Sequence, residues 1–147
     1  MGPVLVDTSL CIAALRRGEF RSALHEIAPH APLWLSAVVL EELYAGARGP
    51  HRRIVERLEH DFAHSQRLLV PNLDDWRQTG LLLADLAERY GYEEIGRGRL
   101  TNDALIAMGA ARCGLTLLTA NRKDFARLAQ FRPFRWQLAE LPGERQP

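Results

Sequence analysis

The sequence predicts an α/β protein, a three-layer α/β/α sandwich around a mostly parallel sheet of five strands. Short apolar runs of three or so residues, such as Val4 to Val6 and Leu33 to Leu35, are too short for helices. Between them lie longer stretches with helical spacing of apolar residues. Glycine and proline punctuate the joins.

The elements follow in order. Val4 to Val6 reads as a buried strand, followed by helices from about Thr8 to Arg17 and from about Phe20 to Ala28. Pro29 and Pro32 bracket a turn before the second strand, Leu33 to Leu35. Ser36 is a good N-cap for a helix running through Ala47, with Val39, Leu40 and Leu43 on one face. Gly46 and Gly49-Pro50 end it. A charged helix from about His51 to Ser65 carries the stripe Ile54, Leu58, Phe62, and Leu68 to Val70 is a third strand stopped by Pro71. The helix from about Asp74 to Tyr90 is expected to bury Trp76, Leu83, Ala87 and Tyr90. Residues 91–100 read as a glycine-rich loop.

The helix from Asp103 to Cys113 is apolar nearly all round, so it belongs between layers, with Gly109 and its alanines permitting close approach. Gly114 supplies the residue after the helix end. A strand from Thr116 to Leu118, a short helix near Lys123 to Leu128 and a strand near Phe134 to Leu138 complete a single domain over residues 1–142, leaving 143–147 as a tail.

With 147 residues, 47% hydrophobic and 25% charged, the chain fits one soluble globular domain rather than a disordered one. A net charge of +1 argues against bulk electrostatic binding of nucleic acid. The distribution is uneven: between Arg97 and Arg135 stand eight basic residues and two acids, Asp103 and Asp124. All basic residues except Lys123 are arginines, which grip phosphates bidentately. Cys11 and Cys113 lack partners at ligand spacing and read as buried, reduced thiols. No apolar run reaches about 18 residues, and Asp7 interrupts the N-terminal run too early for a signal peptide, so a cytoplasmic location is expected.

Four acids stand where such a fold gathers residues. Asp7 ends the first strand, Glu42 lies inside the helix after the second, Asp103 opens its helix, and Asp124 follows the fourth strand. Ligands of parallel sheets collect beyond the carboxyl ends of the strands. Each acid also has a plain structural explanation: Asp7 or Asp103 as helix caps, Asp124 as a first-turn acid, Glu42 as surface beside Glu41. Taken jointly, they point to a pocket whose repulsion a hard cation would relieve. Two unit charges ~4 Å apart repel by ~4 kcal/mol at an effective dielectric near 20. Carboxylates without histidine or cysteine suit Mg²⁺ or Mn²⁺ better than zinc, and such a site does phosphate chemistry.

Four blocks now carry a resemblance: Val-Asp-Thr-Ser at 6–9, Leu-Ser-Ala-Val-Val-Leu-Glu-Glu-Leu at 35–43, Asn-Asp-Ala-Leu-Ile-Ala at 102–107 and Leu-Thr-Ala-Asn-Arg-Lys-Asp-Phe at 118–125. In order and spacing they resemble the PIN-domain ribonucleases, above all the VapC-type toxins of toxin–antitoxin pairs. The resemblance spans essentially the whole chain. It implies a Mg²⁺-dependent endoribonuclease cutting RNA, frequent homodimers, and a VapB-type antitoxin whose tail plugs the acidic pocket. Asp7 and Asp103 match the principal metal ligands, and Asp124 matches the acid that helps hold the metal or its water. Glu42 matches the glutamate that orients or deprotonates the attacking water. Thr8, Ser9, Thr119 and Asn121 match polar positions lining the pocket. Asn102 stands where some relatives carry another acid. Arg97, Arg99 and Arg122 flank the acids and are candidates for phosphate contact.

Rival readings remain at this level. A haloacid-dehalogenase-like phosphatase needs a second aspartate where Ser9 stands, and no Gly-Lys-Ser/Thr marks a P-loop. A non-catalytic PIN-like interaction module and a metal-dependent nuclease acting on DNA are the alternatives.

Overall fold

Val4 to Val6, Leu35, Leu117 and Leu118, in the middle strands, are apolar and buried, which is what a sheet between two helical layers requires. A computed structural model describes residues 2–93 and 100–141. The elements run β1 (Val4–Val6), α1 (Thr8–Arg16), α2 (Phe20–His25), β2 (Leu33–Ser36), α3 (Ala37–Gly46), α4 (Pro50–His64), β3 (Leu68–Leu69) and α5 (Leu73–Tyr90). They continue with α6 (Leu100–Cys113), β4 (Thr116–Thr119), α7 (Arg122–Ala129) and β5 (Trp136–Leu138).

The five strands form one sheet in the order β3-β2-β1-β4-β5, and every pairing is parallel. β1 is central: Val4 pairs with Leu33 on one side and Thr116 on the other. Right-handed crossovers send α1 to α4 over one face, as the chain steps from β1 to β2 to β3. The return from β3 to β4 and on to β5 puts α5, α6 and α7 over the other. The contacts agree, with α5 packed on α6 and α7, and α3 on α4. The chain reverses its stepping direction between β1 and β4, so the crevice beyond their carboxyl ends is the switch point where such folds bind ligands.

α6 presses closely on the sheet. A Cβ on Gly109 would lie 2.8 Å from a Leu69 methyl, which explains the small residue there, and Gly114 takes the left-handed φ of +67° that ends the helix.

Three burial expectations fail. Trp76 is exposed, and α5 instead buries Asp75, Thr79, Leu82, Leu86 and Ala87. The buried stripe is shifted because Asp75 is held inward by Arg112, whose guanidinium contacts its carboxylate at 2.9 Å. On α4 the stripe runs through Val55, Leu58 and Phe62, leaving Ile54 half exposed. Cys113 is exposed at the end of α6, whereas Cys11 is buried and its thiol is pushed well up by burial.

Candidate active site

Asp7 is the first side chain beyond β1. Its backbone N–H donates to the carbonyl of Leu118 at 3.0 Å, so the sheet itself fixes where the carboxylate begins. The side chain is buried and caps α1: Oδ1 accepts from the Leu10 N–H at 3.1 Å and from the Ser9 hydroxyl at 2.8 Å. Oδ2 accepts from the buried Thr119 hydroxyl at the end of β4. A carboxylate offers about four lone-pair directions. Three are occupied by neutral donors, and one is left at Oδ2.

Burial pushes the Asp7 carboxyl above the ordinary carboxylate range. The hydrogen bonds from Thr119, Leu10 and Ser9 pull it back, and the negative charge of Glu42 adds a smaller upward push. Among the described residues, no cation is one of the groups acting on Asp7.

One string of contacts runs out from Asp7, and a separate pair stands within reach of its charge. Thr119 Oγ1, while donating to Asp7, accepts from the Asn121 N–H at 2.9 Å. Asn121 caps α7: its Oδ1 accepts from the Asp124 N–H at 3.2 Å, and its Nδ2 donates to Asp124 Oδ2 at 2.9 Å. Asp7, Thr119, Asn121 and Asp124 therefore form one continuous chain. On the other side stands half-buried Glu42 on α3. Its Oε1 accepts from Asn102 Nδ2 at 3.2 Å, across from the first turn of α6. Asp103 is the next residue along α6 and lies in that first turn, half-buried, since the helix already begins at Leu100. Asp7 and Asp124 thus follow β1 and β4 and share one run of hydrogen bonds, the charge of Glu42 reaches Asp7, and Asp103 is the neighbour of the asparagine that holds Glu42. Among the described residues, no three His, Cys, Asp or Glu side chains stand gathered as a ready metal cage.

The remaining candidates divide. Thr8 is buried and its hydroxyl has no hydrogen-bond partner, an unusual state for a group next to a buried carboxylate. Ser9 acts on Asp7 directly. Arg122 is exposed at the mouth of a cavity of about 420 Å³ lined also by Ala120, Leu138 and Glu140. Arg97 and Arg99 lie outside the described residues. A second cavity of about 410 Å³ runs between α1, α3 and α4, with Ile12, Leu43 and Val55 in its wall and Glu42 at the acid edge. Sequence reasoning found neither this groove nor the Asn102–Glu42 bond. The groove joins side chains of three helices, from Ile12 to Val55 along the chain, and the bond joins residues 60 positions apart.

A model of the PIN domain matches residues 4–130. The chain belongs to the PIN domain family. That family is one of nucleases. Among solved structures, it shares its fold with a chain of VapBC2 from Rickettsia felis bound to a DNA fragment from its promoter. There the TM-score is 0.67 and the identity 21%, covering 95% of this chain and 100% of the other. DNA-bound VapBC from Salmonella typhimurium gives a TM-score of 0.66 at 22% identity over 94% and 98% of the two chains. VapBC-5 from Mycobacterium tuberculosis gives 0.57 at 23% over 95% and 98%. No curated protein matches the sequence. Among the described residues, no helix is long and apolar enough to cross a membrane.

Proposed function

We propose that this chain is a metal-dependent endoribonuclease and the toxin of a VapBC-type pair. The observation that carries the reading is Asp7: a buried carboxylate held by three neutral donors, with one open lone pair and a second carboxylate's field beside it. A site of that kind is incomplete without positive charge. Its donors are oxygens only, which fits Mg²⁺ or Mn²⁺, and an unpartnered hydroxyl at Thr8 adds a further oxygen in the neighbourhood.

Asp7, Asp103 and Asp124 would hold the ion by drawing together around it, since they do not stand gathered as a cage beforehand. When bound, it supplies neutralisation of charge at the phosphodiester and a more acidic water. The protein's own groups do the rest. Thr119, Ser9 and the Leu10 N–H keep the Asp7 carboxylate in one orientation. Asn121 does the same for Asp124. Glu42 takes the proton from the attacking water as its oxygen bonds to phosphorus, and the bridging P–O bond breaks with its electron pair leaving on the ribose oxygen, which takes a proton from solvent water. Arg122, exposed beside Asp124, offers a guanidinium to the RNA phosphate.

The groove between α1, α3 and α4 is the natural seat for an antitoxin segment, since its apolar wall leads to the acid edge at Glu42. A basic side chain arriving there would displace the cation. Self-association in this reading uses the corner of Val70, Leu73 and Trp76, which is apolar and exposed. Relatives solved as VapBC complexes support the toxin assignment, and the acid set supports the chemistry.

Structured RNA incubated with the protein and Mg²⁺ tests this. Internal cleavage is expected, EDTA should stop it, and Asp7→Ala should remove it. Cleavage surviving in Asp7→Ala, or cutting of DNA in place of RNA, would overturn the assignment.

A further inference from the structure

Resting on that reading, we propose that Asn102 is the positioning residue for Glu42, fixing the water-activating carboxylate through its side-chain amide. Asn102 Nδ2 lies 3.2 Å from Glu42 Oε1 and 3.4 Å from Glu41 Oε2. Successive residues on a helix point about 100° apart, so Glu41 and Glu42 diverge from α3 and nothing in their own helix makes them share a partner. A donor from α6 draws them toward one point. The orientation of the amide is forced, because two carboxylates can face its NH₂ group but not its oxygen.

The residue type matters as much as the contact. A lysine or arginine at this position would place a fixed positive charge beside the acid edge and compete with a cation for the same carboxylates. An aspartate would set a like charge about hydrogen-bond distance from Glu42, which already lies in the field of Asp7. An amide restrains the carboxylate without adding charge of either sign. It also couples two elements, because the residue after Asn102 is Asp103. The bond therefore sets the spacing between the water-activating group on α3 and the acid on α6. Asn102 is half-buried and Glu41 is exposed, so the tie contributes little to the core and much to alignment.

Two measurements on the whole 147-residue chain test this. In ¹⁵N-labelled protein, the side-chain amide signals of Asn102, assigned through their loss in Asn102→Ala, should shift when Glu42 is changed to Gln. In steady-state cleavage of RNA with Mg²⁺, Asn102→Ala should lower kcat by roughly 10- to 100-fold, the range that misplacing a reacting group costs. KM should stay within about twofold, since the amide touches no substrate. Asn102→Asp, nearly identical in shape, should lose at least as much. Amide signals indifferent to Glu42→Gln would overturn the tie, whatever the activity. Unchanged kcat in Asn102→Ala, or kcat raised in Asn102→Asp as if another acidic ligand had been supplied, would overturn the positioning role. Wild-type protein inert toward RNA, with amide signals that still respond, would instead sink the nuclease reading and leave the tie standing.

Discussion

Two aspartates in this molecule are buried to nearly the same degree, Asp7 with 4% and Asp75 with 2% of its surface exposed. Both serve the first turn of a helix: Asp7 caps α1, and Asp75 completes the capping box of α5 with Asn72. Their partners differ in kind. Asp75 meets a cation, the guanidinium of Arg112, with Nε 2.9 and 3.0 Å from its two oxygens and Nη2 2.9 Å from one of them. Arg112 also reaches the Val70 carbonyl, so the pair ties α5, α6 and the end of β3 together. Among the described residues, Asp7 meets only hydroxyls and an N–H, with another carboxylate's charge acting on it. A buried acid that brings its own countercharge is part of the scaffold. One left short of positive charge is set up to receive it from elsewhere.

The contrast can be broken first at its functional end. Asp7→Ala should reduce RNA cleavage at least about a hundred- to a thousandfold, the scale of losing one preorganised electrostatic group, with circular dichroism still showing a folded α/β protein. An effect under tenfold would make Asp7 a cap and nothing more. At the structural end, Arg112→Ala leaves the Asp75 carboxylate buried without its cation and should cost about 3 kcal/mol of unfolding free energy in urea. The side chain of Arg112 is 36% exposed, which keeps this toward the low side for a buried pair. A loss below about 0.5 kcal/mol would place the pair among ordinary surface bridges.

The sharper test is a sign reversal. Asp7→Asn keeps a capping side chain but removes the desolvated charge, so the metal-free protein should gain on the order of 1 kcal/mol. Asp75→Asn should lose stability under the same conditions. The pH dependence follows from the same cause. Asp7's folded-state pKa is raised, so between its ordinary value of 3.8 and the folded value the native state binds more protons than the unfolded chain. Stability of the metal-free wild type should therefore fall as pH rises through that window, and Asp7→Asn should flatten that component. The smallest effect is expected at the periphery: Tyr44→Phe removes a 2.7 Å bond to Glu59 between α3 and α4 and should cost about 0.5–1 kcal/mol without changing cleavage.

The fold was legible because its signals are local. Runs such as Val4 to Val6 are apolar throughout, and Gly114 marks its helix end by its own conformational freedom. The places of Asp7 after β1 and Asp124 after β4 were legible for the same reason, as positions beyond strand ends need no knowledge of partners. What escaped depends on distant residues. Trp76 turns outward because Asp75, its neighbour, is drawn in by a side chain 37 residues away. Thr119 is set at the pocket by resemblance alone, and its partner appears only when the sheet brings it to Asp7, 112 residues before it. Asn102 looks like a missing acid until α3 places Glu42 beneath its amide.

The most direct measurement of the central claim is the thermal midpoint of the purified protein titrated with Mn²⁺ or Mg²⁺, beside Asp103→Asn and Arg112→Ala. A ligand that binds only the folded state stabilises by about 2.7 kcal/mol at a hundred times its Kd. The wild type and Arg112→Ala should both rise with added ion, each from its own starting midpoint, and Asp103→Asn should not. A wild type whose midpoint ignores the ion, or an Asp103→Asn that responds as fully as the wild type, would contradict the account.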